Sequence, residues 1–265
     1  MNKKLNQIIG VILILMTVFS LIGCGSSNTA DNNESKEQTV LEKIQEKGVI
    51  VVGTSPDYPP FETIDEKGNI VGFDIDLANE IAAKLGVDLE LKQMSFETIV
   101  TAVQSGQVDV GISGFSVTEE RKENVDMSEP YLVGGQVVVT TTDSGIESVE
   151  DLNGEKVTAG MGSTCEQAAN KIEGAEVVSL DDFNMGFIMV KNGTAKAVVA
   201  DVSVAKDYVA NDSSYTIIGE PLSYEETAVI TKKGNDDLTK AINEAINEIK
   251  ESGKIDEFKK AWGVE

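Results

Sequence analysis

A single arginine, Arg121, stands among 21 lysines. A planar guanidinium grips a carboxylate through a two-pronged fork that an ammonium cannot form, so the one departure from lysine points to anion recognition. The plainer alternative is a surface arginine in the charged turn of Glu119, Glu120 and Lys122. Asp201 closes the apolar run 197–200. A carboxylate at the C-terminal end of a strand in an α/β sheet faces the crevice where ligands bind; the other option is that Asp201 caps the next helix. Ser113-Gly114-Phe115-Ser116 ends a strand and enters a turn whose N–H groups can face an anion. Gly162-Ser163-Thr164 precedes a second helix and, taken alone, is an ordinary N-cap.

What the chain lacks narrows its chemistry. It has no histidine, which removes the usual near-neutral base, the commonest metal ligand and any Ser-His or Cys-His nucleophile. The net charge is −23, and more negative still without Lys3 and Lys4, so phosphate backbones and anionic lipid headgroups are repelled. Nucleic-acid binding is excluded on that ground. No cofactor or metal site is expected. The two cysteines are Cys24 and Cys165. With no imidazole to activate it, Cys165 is expected to be a half-buried, unreactive thiol.

Residues 1–23 have the plan of a secretory signal. Lys3 and Lys4 precede a nearly unbroken apolar stretch, 8–22, too short for a comfortable membrane span. Leu21-Ile22-Gly23-Cys24 resembles the bacterial lipobox, in which the cysteine is acylated before cleavage. Two acyl chains, at ~0.8 kcal/mol per CH₂, would hold a protein stably on a membrane. Residues 24–44 are expected to form a flexible tether, because 25–40 have no aromatic and little else to bury.

The rest must position the candidate residues. Strands are expected at 49–54, 89–92, 108–112, 137–142, 156–159, 176–180, 197–200 and 227–231, with a hairpin over 61–73 turning at 66–69. Helices are expected after Asp74 or Asp76 (stopped by Gly86), over 96–103 after a Ser95 cap, from Thr164, over 181–190 and over 236–250. Strands and helices alternate, which is α/β winding. Two lobes follow, with crossings near 133–142 and 220–228. Lobe 1 takes 45–135 and 226–265, and lobe 2 takes 136–225.

The run Gly72-Phe73-Asp74-Ile75-Asp76-Leu77-Ala78 lies between Gly53-Thr54-Ser55-Pro56-Asp57-Tyr58-Pro59-Pro60-Phe61-Glu62 and Gly114-Phe115-Ser116-Val117-Thr118-Glu119-Glu120-Arg121-Lys122. With Asp126 to Tyr131, Val198-Val199-Ala200-Asp201 and the closing Phe258 to Gly263, it resembles the family 3 extracellular solute-binding proteins over residues 45–265. That resemblance implies a two-lobed clamshell of the periplasmic-binding-protein type with two hinge crossings. It implies a monomeric, non-enzymatic binder that hands a polar amino acid to an ABC permease and its ATPase from the outer face of the membrane. It places the ligand carboxylate on Arg121, Ser116 and Thr164, and the ammonium on Asp201 and the Gly114 carbonyl. Tyr58 and Phe96 would sandwich the side chain, and Ser113 would bind or only brace its turn. Ser55 departs from the acidic residue usual in binders of cationic amino acids, which puts lysine or arginine in doubt, although Asp57, Glu62 or Glu166 could compensate. Gly160 leaves extra room. Two other readings remain open: a dehydratase on the same scaffold, with Glu166 as its acid, and a solute sensor that feeds no transporter.

Overall fold

The computed structural model describes residues 38–264. The signal segment 1–23, Cys24 and the tether as far as residue 37 lie outside the described residues. The chain enters the fold earlier than composition suggests. A helix, α1 (Val40–Lys47), starts behind a Thr39–Glu42 capping box, and Gly48 closes it in the left-handed region. Residues 40–44 are therefore not tether. Ile44 is buried, and the Leu41 N–H donates to Asp237 at 3.2 Å, so this short segment gains its stability from docking rather than from its own length.

The strands sort into two five-stranded sheets. In the first, β1 (Val49–Thr54) runs parallel to β4 (Asp88–Gln93) and to β5 (Val110–Gly111). Antiparallel to β5 lies β12 (Ile230–Lys232), which also pairs with β6 (Val125–Met127). The hairpin β2 (Thr63–Ile64) and β3 (Ile70–Val71) stands apart. On one side of the sheet pack α2 (Phe73–Leu85), α8 (Asp236–Glu251) and α9 (Lys254–Trp262), through Leu77, Ile81, Leu238, Ile242 and Ile246. On the other, α3 (Phe96–Ser105) seats Ile99 and Val103 against Val51, Phe115 and Ile230.

The second sheet is built from β7 (Leu132–Thr141), β8 (Lys156–Gly160), β9 (Glu176–Leu180), β10 (Ala197–Asp201) and β11 (Tyr215–Thr227). β8, β9 and β10 are parallel, whereas β7 runs antiparallel to both β10 and β11. Its faces are covered by α5 (Thr164–Ala169), which buries Cys165 and Ala169, and by α6 (Asn184–Lys191) and α7 (Val202–Asn211), which bury Phe187 and Val204. Strands buried on both faces read as the near-continuous Val/Ala runs seen in the sequence.

The chain passes between the sheets twice. β7 and β11 pair along 138–141 with 215–218 inside the second sheet, and again along 132–136 with 223–227 beyond it, across an irregularity between Ile218 and Ser223. The second stretch is a two-stranded ribbon leading back to β6 and β12. A Cβ on Gly135 would lie 2.2 Å from the Ser223 carbonyl oxygen, so the ribbon's close approach requires glycine there.

Several local expectations are corrected. Gly72, not an aspartate, precedes α2, at φ 146°; a Cβ there would meet the Phe61 carbonyl at 2.0 Å. Asp74 is instead fully buried, accepting from the Gly114 N–H at 2.7 Å and the Tyr131 hydroxyl at 2.8 Å, while Asp76 accepts from Trp262 Nε1 at 2.7 Å. Ser95 stands at the N-cap of α3 without a side-chain bond. α6 begins at Asn184 rather than at residue 181, and the segment 227–231 is split between the end of β11 and β12. β5 is shorter than the expected 108–112 strand. Among the described residues no helix is long and apolar enough to cross a membrane.

Candidate functional site

The C-terminal ends of β1 and β5 in one sheet and of β8 and β10 in the other converge on a cleft. This is where open α/β sheets place ligands, since strand order changes there and the loops diverge. Arg121, Asp201, Ser116, Gly114, Thr164, Tyr58, Phe96, Ser113 and Ser55 all line it. The structure thus brings together every binding residue expected from the sequence.

Arg121 sits in α4 (Glu119–Asn124), whose start is fixed by the Thr118 hydroxyl accepting from the Arg121 N–H. Its guanidinium lies 5.5 Å from the centroid of the Phe96 ring and 5.2 Å from that of Phe115, the two rings being stacked at 4.7 Å. This platform holds the fork flat and excludes water from one side. Nη1 donates to the Ser116 carbonyl at 2.8 Å and Nη2 to the Gly162 carbonyl at 3.3 Å. A guanidinium has five N–H donors, so donors remain for an anion in the cleft. The Ser116 and Thr164 hydroxyls meet at 3.0 Å, and Gln136 donates to Thr164 at 3.1 Å.

Asp201 ends β10. Its Oδ2 accepts from the Tyr58 hydroxyl at 3.1 Å, and its N–H donates to the same hydroxyl at 3.0 Å. Burial pushes its carboxyl up to about 7 and the Tyr58 bond opposes that; Glu225 and Asp74 add to the rise, and Arg121 counters it. Such a group returns to full ionisation beside a cation. The helix-cap alternative fails, since Asp201 makes no side-chain cap bond to α7. For Ser163 the cap reading holds: its hydroxyl accepts from the Glu166 N–H at 3.1 Å.

The hydroxyl of Ser113 is committed to its surroundings, accepting from the Ser55 N–H at 3.1 Å and donating to Glu62 Oε1 at 2.6 Å. Ser55 in turn donates to Asp57 at 2.7 Å. Both therefore brace the loop that carries Tyr58. Cys165 proves fully buried rather than half-buried and lines the cleft, with its Sγ 3.5 Å from the Tyr58 hydroxyl; burial holds its thiol far above the ordinary range, so it stays a neutral wall. Glu166 is not part of the lining. It accepts from the Gly162 N–H at 2.8 Å and from the Ser179 hydroxyl.

The profile of the bacterial extracellular solute-binding proteins, family 3, matches residues 50–265. The chain belongs to that family. A Bacillus subtilis relative named as the arginine-binding extracellular protein ArtP is 32% identical over 92% of this chain and 92% of its own. The ABC transporter glutamine-binding protein GlnH of the same organism is 33% identical, covering 95% and 94%, and the Escherichia coli L-cystine-binding protein TcyJ is 31% identical, covering 85% and 86%. Among solved structures, a variant of an arginine-binding protein from T. maritima superposes with a TM-score of 0.81 at 40% identity, covering 85% of this chain and 99% of that one. An ancestral amino-acid-binding protein described as a precursor of cyclohexadienyl dehydratase gives 0.80 at 34%, covering 84% and 99%. This family 3 solute-binding protein is accordingly a two-lobed α/β protein whose two sheets are joined through the β7–β11 ribbon.

Sequence reasoning missed parts of the lining. Phe183 packs edge-on against Tyr58 at 4.6 Å between ring centroids, and its N–H donates to Asp57 Oδ2 at 2.7 Å across the cleft. Leu180 and Asp181 complete that wall. In the sequence 181–183 reads as a helix start. The signal that could have found Phe183 is its place just after a parallel strand, where a cleft wall is expected.

Proposed function

We propose that this chain is the extracellular substrate-binding component of an ABC importer, capturing a polar amino acid between its lobes and delivering it to a membrane permease. The observation that carries the reading is the pairing of Arg121 from one lobe with Asp201 from the other across a single cleft. A free amino acid is the small solute that needs both an anion partner and a cation partner at fixed separation. Its carboxylate goes to the free donors of Arg121 and to the Ser116 and Thr164 hydroxyls. Its ammonium goes to Asp201 and the Gly114 carbonyl, and its side chain lies along Tyr58 and Phe96. The names of the relatives, which include arginine, glutamine and cystine binders, support the ligand class. The chain works as a monomer held at the outer face of the membrane through acylated Cys24. It is a binder, not a catalyst: Glu166, the acid a dehydratase reading requires, is bonded to Gly162 and Ser179 outside the cleft lining.

A thermal-shift panel of the purified domain against the amino acids tests this. At 100-fold over Kd a ligand selective for the folded state adds ~2.7 kcal/mol, about 5–11 °C for a domain of this size. No shift with any amino acid, together with turnover of prephenate or arogenate, would overturn the reading.

A further inference from the structure

Gln136 sits where β7 leaves the second sheet. Its backbone pairs with Asp201 at the end of β10 on one side and with Ser223 of β11 on the other. The side chain is fully buried, and its amide is engaged throughout. Oε1 accepts from the Ser223 hydroxyl, while Nε2 donates to Thr164 Oγ1 at 3.1 Å and to Glu225 Oε2 at 2.9 Å. Two of these partners stand on β11 in the ribbon, and the third is a hydroxyl of the cleft wall. Nothing in the amino-acid reading above uses Gln136, Ser223 or Glu225, yet a buried polar network is kept only where each member is satisfied.

The way that amide points decides what Thr164 can offer. A hydroxyl has one hydrogen and two lone pairs. With an N–H of Gln136 on a lone pair, the Thr164 hydrogen is left for an acceptor on the cleft side: the Ser116 hydroxyl at 3.0 Å, or an anion between the lobes. Were the amide turned over, its oxygen would take that hydrogen, and Thr164 would show a carboxylate only lone pairs. Glu225 opposes the turn, because it would set an amide oxygen against a carboxylate oxygen where an N–H now donates at 2.9 Å. Glu225 also acts through space. Burial disfavours the charged Arg121 guanidinium, and among the charges that oppose this Glu225 acts most strongly. By charge alone it competes with an incoming anion for Arg121, so its removal would tighten anion binding.

We propose, building on the amino-acid reading above, that Gln136 is a positioning residue for the captured carboxylate: held by Ser223 and Glu225 of the ribbon, it fixes Thr164 as a hydrogen donor into the cleft. Glu225 sets the direction of the amide, the amide sets the polarity of the hydroxyl, and the hydroxyl meets the ligand. Because Gln136 and Ser223 are register partners of β7 and β11, the donor is in place only while the two strands keep that register.

A double-mutant cycle read by calorimetry decides the matter. The probes are the common L-amino acids and L-cystine, and whichever binds wild type most tightly is carried through the variants. Gln136→Met, an apolar replacement of similar length, should weaken binding about 5- to 15-fold. In a Thr164→Val background the same substitution should change affinity by less than about twofold, whereas a merely structural role would weaken binding equally with or without the hydroxyl. Glu225→Met should weaken binding about threefold or more although it removes an anion, and should no longer weaken it once Thr164 is Val. Unchanged or tighter binding in Glu225→Met would mean that the acid acts through its charge alone, and would overturn its role in setting the amide. Additive losses from Gln136→Met and Thr164→Val would overturn the positioning role of Gln136 and leave amino-acid capture standing. Failure of every amino acid to bind would remove the underlying reading and this proposal with it. Should Gln136→Met not fold, Glu225→Met, at a half-buried position, still decides through its own cycle with Thr164→Val.

Discussion

Arg121 does three things at once: it stacks over Phe96 and Phe115, bonds the Ser116 carbonyl of its own lobe, and reaches the Gly162 carbonyl of the other. On the proposed reading, Arg121→Ala removes the partner of a desolvated carboxylate, an effect of ~2–5 kcal/mol, or roughly 30- to several-thousand-fold in affinity. Arg121→Lys keeps the charge but loses the fork and the flat stacking surface, so it too should bind more weakly than wild type. Lys122, exposed and paired with Glu119 at 2.9 Å, and Glu120, also exposed, serve as controls; alanine at either should change affinity by less than ~1 kcal/mol. Calorimetry on the four variants checks this, and an Arg121→Ala protein that binds like Lys122→Ala would place the carboxylate elsewhere. Arg121 was legible because its residue type is unique in the chain. Asp201 was legible because it ends an apolar strand. Phe183 was not, and Glu62 only as one of three compensating acids, since an acid in a Pro-rich loop and an aromatic after two aspartates look like surface and helix start. Their burial depends on a chain crossing that no local pattern records.

At the scale of elements, the strands were the most readable features, because runs buried on both faces have no polar alternation to blur them. Helix starts were legible at Phe96, Thr164 and Asp236 but not for α2 and α6. α2 opens on Gly72, whose φ of 146° and 2.0 Å approach to the Phe61 carbonyl leave no room for the aspartate cap that its sequence suggests. Asp74, freed from capping, is spent inside the lobe, where it ties Gly114 to Tyr131 and so fixes the turn on which Ser116 stands. The hinge ribbon left a weak signal for a physical reason. Where β7 and β11 run on past the rest of the second sheet they have no face that must be apolar, and Val133 and Tyr224 are indeed exposed there. Its one sequence mark is Gly134-Gly135. A methyl at residue 135 would force the ribbon apart against the Ser223 carbonyl, and such overpacking typically costs ~1–3 kcal/mol. Gly135→Ala should therefore lower Tm by about 2–12 °C, read by calorimetry, with Gly145→Ala, whose Cβ would meet nothing but whose φ is +79°, showing the separate cost of backbone strain. A Gly135→Ala protein as stable as wild type would mean that the ribbon can open freely there.

Capture of a solute between the lobes, as proposed, requires that the lobes separate and meet. Among the described residues, polar contacts join them across the cleft between Tyr58 and both Asp201 and Cys165, Ser116 and Thr164, Asp57 and the Phe183 N–H, and Arg121 and the Gly162 carbonyl. Each lies between groups that a bound solute would also touch, so the closed form and the occupied form share one set of residues. Closing costs the ordering of the ribbon and the desolvation of Asp201 and Glu62, whose carboxyls burial already drives upward. A solute that meets the charges of both lobes offsets that cost only in the closed arrangement, and this differential affinity is what shifts the population. A compact body the size of residues 38–264 has a radius of gyration of roughly 17 Å. Small-angle scattering on that fragment should give a value near this with saturating amino acid and a larger one without it. Tyr58→Phe keeps the ring against Phe183 but removes the hydroxyl that bridges to Asp201. It should need more ligand, by about 3- to 30-fold, to reach the same closed radius, because the truncation weakens the closed form without touching the Arg121 platform. A radius that stays constant while calorimetry confirms tight binding would mean that the solute enters a cleft already shut, and that the β7–β11 ribbon is a strut rather than a hinge.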